Sequence, residues 1–208
     1  IKDWRRSWGQ GEFPFYYVQL SSFNWDNGNN SNSGSKWAEL REAQALALKL
    51  PNTGMAVTYD IGNAFDIHPH NKQDVGKRLA AIALHNTYDK NIVWTGPTFE
   101  LMKIKGREVT ILFSQTYAGL KVKDKYGYVK GFEIAGPDHK FYFARATIDG
   151  HRIVVSSDSV DIPVAVRYAW ADDAGEANLY NKEGFPAVPF RTDQWKGITE
   201  EQKYEPGL

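Results

Sequence analysis

The chain has 208 residues, carries no net charge and contains no cysteine. Its length suits one large domain or two small ones. The balanced charge gives no sign of a nucleic-acid partner or an anionic membrane, and no apolar run reaches the roughly 20 residues that cross a bilayer. The lack of cysteine excludes disulfides, thiolate metal sites and a cysteine nucleophile together.

Residues 1–92 alternate between helical patterns and short apolar runs that are typical of buried parallel strands. The predicted elements are helices at 2–8, 37–48 and 73–86 and strands at 15–20 and 55–59. The predicted apolar face of the second helix consists of positions 37, 40, 43, 44, 47 and 48. This order of elements is that of half of a doubly wound α/β domain. Two parallel strands are too few for such a sheet, so either a partner chain supplies the rest or, as we expect, the missing strands precede Ile1.

From about residue 93 the pattern changes to short β-rich runs that are separated by turn signals. The runs lie at 109–113, 120–123, 131–135, 141–148, 152–155 and 164–168. Their regular spacing predicts a small antiparallel β-sandwich over residues 93–172. Residues 173–208 lose the periodicity, and their aromatic side chains indicate an irregular tail that packs back on the other domains. The predicted fold class is therefore α/β plus all-β.

Asp66 and His68 lie in the loop between the second predicted strand and the third predicted helix. In open α/β sheets, ligands bind at the carboxyl ends of the strands. An imidazole suits a general base, and a nearby carboxylate can orient it. Alternating residues of an extended segment point the same way, so Asp66 is the first candidate for that carboxylate. Asp60 or a backbone carbonyl are alternative orienting groups, and a simple helix start is an alternative use of the loop.

Three further residues have weaker signals. Asp66, His68 and His70 alternate as metal ligands sometimes do, but no further ligand is evident, and we predict no metal site. Gln19 ends the first strand and Arg41 lies on the helix that follows, so both are candidate substrate-binding residues. Hydrogen bonding at the strand end and a solvated helix face explain Gln19 and Arg41 equally well.

Residues 66–72, called the candidate loop below, begin a longer motif. It consists of Asp-Ile-His-Pro at 66–69 followed by Asn-Lys-Gln-Asp-Val-Gly-Lys-Arg-Leu at 71–79. Further motifs are Trp-Gly-Gln-Gly-Glu-Phe-Pro-Phe-Tyr-Tyr-Val-Gln at 8–19, Trp-Ala-Glu-Leu-Arg-Glu-Ala-Gln at 37–44 and Pro-Phe-Arg-Thr-Asp at 189–193. Together these segments resemble the sialate O-acetylesterase family of SGNH-type serine hydrolases. The likeness spans nearly the whole chain.

The resemblance implies that residues 1–92 are the C-terminal half of an SGNH-like parallel α/β domain. In that family a serine in a Gly-Gln-Ser-Asn block attacks the acetyl carbonyl, and the histidine of the last block is its general base. Neither that block nor the central Gln-Gly-Glu-Ser-Asn-type block occurs here, and Ser31 in its polar loop is not accepted as the nucleophile. The resemblance therefore implies that the catalytic residues in this chain are His68 and Asp66. It also implies a nucleophilic serine outside the chain.

On this basis we predict the C-terminal part of a carbohydrate esterase that hydrolyses O-acetyl esters of sialic acids through an acyl-serine intermediate, without a cofactor. The expected partners are an O-acetylated sialic acid or related glycan and the N-terminal part of the same enzyme. We expect a periplasmic or secreted location. Alternatives are an acetylxylan or other glycan acetylesterase, and a non-catalytic carbohydrate-binding β module.

Overall fold

The structure, a computed structural model, describes residues 1–23, 32 and 34–202. The helices are α1 (Lys2–Trp8), α2 (Lys36–Leu46) and α3 (Lys72–Asn86), with 3₁₀ turns at Ala47–Lys49 and Tyr59–Ile61. The strands are β1 (Phe15–Val18), β2 (Thr53–Ala56), β3 (Thr98–Lys105), β4 (Glu108–Ser114), β5 (Leu120–Val122), β6 (Phe132–Ala135), β7 (Phe141–Phe143), β8 (Arg145–Asp149), β9 (Arg152–Ser156), β10 (Ala165–Tyr168), β11 (Leu179–Asn181) and β12 (Phe190–Arg191). The fold is mixed, with mostly antiparallel sheets and few helices. None of the described helices has the length and apolar character needed to cross a membrane.

β1 and β2 form a two-stranded parallel sheet in which Phe15 lies opposite Thr53. Helix α3 packs on both strands. A Cβ atom at Gly54 would lie 2.3 Å from the side chain of Ile82 in α3. Glycine at this position therefore allows the helix to approach the sheet closely. On α2, the carbonyl of Gln44 accepts a hydrogen bond of 2.7 Å from the hydroxyl of Tyr17 in β1.

Side-chain caps fix where α2 and α3 begin. The hydroxyl of Ser35 accepts a hydrogen bond of 3.0 Å from the Ala38 N–H, and the side chain of Asn71 accepts one of 3.1 Å from the Asp74 N–H. Such caps satisfy N–H groups that the first helical turn leaves without a partner. Because α3 begins at Lys72, the candidate loop ends directly at its N-terminus.

The two edges of the parallel sheet differ. A cavity of only about 10 Å³ is lined by residues 55–57, at and just after the end of β2, and by residues 94–96 and 185–186. The outer side of β2 is therefore covered by the β-rich part of the chain. Among the described residues, β1 pairs with no strand other than β2.

The β-rich part is built from two four-stranded antiparallel sheets, with the strand orders β3-β4-β9-β8 and β12-β10-β6-β7. Phe99 in the first sheet stacks on Phe190 in the second at 4.7 Å between ring centroids. The buried cluster that contains Ile111, Ile134 and Ile153 also contains Met55 and Tyr59. The core thus continues from the β-rich part into the parallel sheet.

Several elements differ from the prediction. Strand β3 was not predicted, and the run predicted at 141–148 is divided into β7 and β8. Residues 173–208, for which we predict an irregular tail, contain β11 and β12. These short strands pair with β5 and β10, which are distant in sequence and so leave no local periodicity to detect.

Candidate active site

The candidate loop lies at the carboxyl ends of β1 and β2. The hydroxyl of Thr58, just after β2, donates a hydrogen bond of 2.6 Å to the carbonyl of Gln19, just after β1. Ser21 and Thr58 also bring their hydroxyl oxygens within 3.1 Å of each other. The chain segments that leave the two strands are therefore held together at the edge where α/β sheets bind their ligands.

Asp66 lies between two imidazoles. Its Oδ1 atom accepts a hydrogen bond of 2.8 Å from the backbone N–H of His68 and lies 3.3 Å from His68 Nδ1. Its Oδ2 atom lies 3.0 Å from His70 Nε2. The His68 and His70 side chains are 85% and 80% exposed, while that of Asp66 is 39% exposed. Both imidazoles are thus accessible to a ligand, and the carboxylate holds them at the loop surface.

Hydrogen bonds lower the pKa of Asp66 below its ordinary value. The largest cause is the His68 backbone N–H, followed by the contact with the His70 side chain. Both groups favour the ionised carboxylate, because a donor to a charged acceptor stabilises the charged form. Asp66 therefore remains an anion at neutral pH. An anion beside Nδ1 of His68 favours the tautomer in which Nε2 can accept a proton.

Asp60, the alternative orienting group, is engaged elsewhere. Its carboxylate accepts two hydrogen bonds from the guanidinium of Arg78 at 2.6 and 2.7 Å, and one from the hydroxyl of Tyr180 at 2.9 Å. The Asp60 and Arg78 side chains are 2% and 10% exposed. Asp60 is therefore part of a buried network, and the observed contact to the His68 ring comes from Asp66.

The network of Asp60, Arg78 and Tyr180 ties together the two ends of the candidate loop. Asp60 precedes the loop, Arg78 lies on α3 after it, and Tyr180 comes from β11. Arg78 also donates to the carbonyl of Val57. Burial raises the pKa of Tyr180, and the Asp60 carboxylate raises it further, so the phenol keeps its proton and acts as a donor. No local sequence pattern indicates this network, since Tyr180 lies 120 positions from Asp60.

Gln19 and Arg41 are both buried. Arg41 donates to the carbonyls of Leu20, Ala171 and Asp172 at 3.0, 2.7 and 2.7 Å. Burial lowers its pKa to about 10. The Gln19 amide nitrogen donates to the carbonyl of Arg41, and its Oε1 atom has no partner in the described part of the chain. This burial favours a structural role over direct glycan contact, and substrate binding by either residue stays a prediction.

Ser31, which was not accepted as the nucleophile, lies outside the described residues. The neighbouring Asn32 exchanges hydrogen bonds of 2.7 and 2.8 Å with the backbone of Phe141 in β7. Within residues 1–23, 32 and 34–202, no group of three or more histidine or carboxylate side chains is arranged to hold a metal ion.

No family model matches the sequence, and no curated protein is significantly similar to it. Among solved structures, the crystal structure of a carbohydrate acetylesterase from Xanthomonas citri aligns with 93% of this chain at a TM-score of 0.87 and 44% sequence identity. This chain is similar to a carbohydrate acetylesterase. The aligned region makes up 44% of the Xanthomonas citri chain, so this chain spans less than half of that protein. The similarity supports the expected relationship to carbohydrate esterases.

Proposed function

We propose that this chain is the C-terminal part of an SGNH-type carbohydrate acetylesterase, in which His68 is the general base and Asp66 orients it. One observation carries the proposal. An exposed imidazole contacts an ionised carboxylate at the carboxyl edge of a parallel sheet, in a chain 44% identical to a carbohydrate acetylesterase. A periplasmic or secreted location stays a prediction.

In the proposed mechanism, this chain supplies the general base, His68. Nε2 of His68 takes the proton of a serine hydroxyl as the serine oxygen attacks the acetyl carbonyl. The imidazolium then gives this proton to the sugar oxygen as the ester bond breaks, which leaves an acetyl-serine. His68 next takes a proton from water as the water oxygen attacks the acetyl-serine carbonyl. The imidazolium returns this proton to the serine oxygen as the acyl bond breaks, which regenerates the serine hydroxyl and releases acetic acid that ionises to acetate. The Asp66 carboxylate stabilises the imidazolium in both halves of the cycle.

The serine and the groups that bind the oxyanion belong, in this proposal, to a segment outside the chain. The open edge of β1 supports this view, since strands added there would complete a parallel sheet. We propose that this N-terminal part of the same enzyme covers β1. The 208-residue chain alone should then release no acetate from an acetyl ester.

The proposed substrate is an O-acetylated sialic acid, in line with the sequence resemblance. The alternative is acetylated xylan or another glycan, which the broader similarity to a carbohydrate acetylesterase supports equally well. Acetate release from 9-O-acetyl-N-acetylneuraminic acid and from acetylated xylan, measured with the complete enzyme, separates the two substrates.

Replacing His68 by alanine in the complete enzyme should lower kcat for acetyl-ester hydrolysis by about 10²–10⁴-fold, because the serine loses its base. The measurement is the release of 4-nitrophenol from 4-nitrophenyl acetate. A matched control is His151→Ala, since His151 is an exposed histidine that contacts Thr116 in the β-rich part. It should keep full activity. An unchanged kcat in the His68 variant, with glycan binding intact, would instead support a non-catalytic carbohydrate-binding module.

A further inference from the structure

A pocket lies beside strands β6 and β7, apart from the candidate loop. Its volume is about 490 Å³, and residues 169–177 form its opposite wall. This volume is within the range of small-molecule sites. None of the catalytic or substrate-binding candidates lines it, so the proposed mechanism does not use it.

An exposed aromatic ring lies at this pocket. Phe143 in β7 is 74% exposed, so its ring is accessible to a ligand at the pocket. It lies directly opposite Glu133 in β6, and residues opposite each other in a sheet project from the same face. Glu133 is buried, but Glu176, which also lines the pocket, is exposed. An aromatic face next to a carboxylate suits the binding of a sugar, because the ring packs on the C–H groups of the sugar and the carboxylate accepts hydrogen bonds from its hydroxyls.

The charges around the pocket favour an uncharged ligand. Among its described lining residues, Glu133, Asp173 and Glu176 are acidic, and Lys130 is the single basic side chain. A carboxylate ligand such as a sialic acid would be repelled by this excess of negative charge. A neutral pentose or hexose has hydroxyl donors for the carboxylates and carries no charge to be repelled.

The wall of the pocket is anchored to the edge that carries the candidate active site. Arg41 on α2 holds the carbonyls of Ala171 and Asp172. The N–H of Ala174 donates to the hydroxyl of Ser22 at 2.9 Å. Ser22 follows β1 at its carboxyl end, beside the segment that leaves β2. A glycan chain that occupies the pocket would therefore lie along the same edge of the molecule as His68.

We propose that this pocket is a binding subsite for a neutral sugar unit of the glycan whose acetyl ester is hydrolysed at His68. The ring of Phe143 packs on the sugar face, and the exposed carboxylate of Glu176 accepts from its hydroxyls. The subsite rests on the proposed function for its biological role, but the binding itself is independent of catalysis.

The test is calorimetric titration of the protein with xylotetraose, a neutral oligosaccharide without acetyl groups, and separately with N-acetylneuraminic acid. Xylotetraose should bind, and Phe143→Ala should weaken its binding about tenfold through the loss of the aromatic contact. The matched control is Tyr88→Ala, since Tyr88 is another exposed aromatic residue, lies after α3 and does not line the pocket. This control should bind as the wild type does.

A second variant, Glu176→Gln, keeps the test informative if Phe143→Ala does not fold. Glu176 is exposed on the pocket wall, and its replacement should weaken xylotetraose binding without unfolding the protein, as checked by circular dichroism. Absence of xylotetraose binding, or equal binding by the wild type and both variants, overturns the subsite. Equal affinity for N-acetylneuraminic acid overturns its neutral specificity. His68→Ala should leave xylotetraose binding unchanged, so failure of the catalytic proposal is distinguishable from failure of the subsite.

Discussion

At the scale of single residues, the two-residue spacing between Asp66 and His68 is compatible with contact. The backbone N–H of His68 turns back to the carboxylate of Asp66, and the imidazole follows to 3.3 Å. His70, which the sequence suggested only as a metal ligand, approaches the other oxygen of the same carboxylate. The pattern of acid and histidine was visible in the sequence, whereas the sharing of one carboxylate by two imidazoles depends on the turn of the loop.

Replacing His70 by alanine should raise the pKa of Asp66, because one of the groups that stabilise the carboxylate is lost. The pKa should stay below the ordinary value of 3.8, since the backbone N–H of His68 is the larger cause and remains. The titration of the Asp66 carboxyl carbon, followed by ¹³C NMR, measures this change. In the control His85→Ala the Asp66 titration should be unchanged, since His85 stacks on Trp94.

The sign of the pH effect on the loop follows from the same lowered pKa. A carboxylate whose pKa is depressed in the folded protein stabilises the fold above its ordinary pKa, and this contribution is lost as the pH falls through the folded value. Order in the 66–70 loop should therefore decrease as the pH falls below about 3.8.

The His70→Ala substitution also tests the contact between His70 and Asp66. An Asp66 titration that is identical in the wild type and in His70→Ala contradicts this contact.

At the scale of secondary structure elements, helix α2 was predicted at nearly the right residues, but the face that was predicted to be buried is not the one that is buried. The buried residues of α2 are Ala38 and Arg41, whereas Leu40, which belonged to the predicted apolar face, is 49% exposed. The end of β1 and residues 171–172 present carbonyl oxygens that need donors. A buried carbonyl without a partner costs about 1–3 kcal/mol. Because one guanidinium satisfies three carbonyls, Arg41 rather than leucine faces inward.

The connection between β2, the candidate loop and α3 depends on the ion pair of Arg78 and Asp60. Arg78→Met should lower the free energy of unfolding by about 3–5 kcal/mol, because it leaves a buried carboxylate without its cation. The matched control is Arg152→Met, which removes an exposed pair with Asp149. This control should lower the free energy of unfolding by about 1 kcal/mol or less. Urea unfolding measures both values, and equal losses in the two variants contradict the role of burial.

At the scale of the whole molecule, local patterns predicted the regular strands and helices but not the contacts that join them. The predicted runs at 109–113 and 152–155 lie within β4 and β9, where alternation is regular. Strand β3 escaped prediction because its register shifts between Phe99 and Leu101, which interrupts the alternation that marks a strand. In the candidate site, the contact between Asp66 and His68 was predictable because the two residues are neighbours in sequence. Tyr180 was not, because only the folded chain brings β11 to the loop.

The open edge of β1 provides a test of how this chain fits into a longer enzyme. The N–H group of Phe15 donates to the carbonyl of Asn52, just before β2, at 2.8 Å, and that of Gln19 donates to the carbonyl of Ala56 in β2 at 2.9 Å. Since backbone groups alternate along a strand, the N–H groups of Tyr16 and Val18 face the open edge. In the 208-residue chain, we expect rapid hydrogen exchange at Tyr16 and Val18 and slow exchange at Phe15 and Gln19, as measured by NMR.

In a protein extended toward the length of the Xanthomonas citri esterase, the exchange at Tyr16 and Val18 should become slow, because a further parallel strand would accept hydrogen bonds from these two N–H groups. Phe15 and Gln19 serve as internal controls, since their carbonyl partners, those of Asn52 and Ala56, are present in both proteins. If Tyr16 and Val18 exchange rapidly in the longer protein as well, no strand is added at β1. The nucleophilic serine would then have to reach His68 from an element outside this sheet, and the SGNH-like arrangement proposed for residues 1–92 would be wrong.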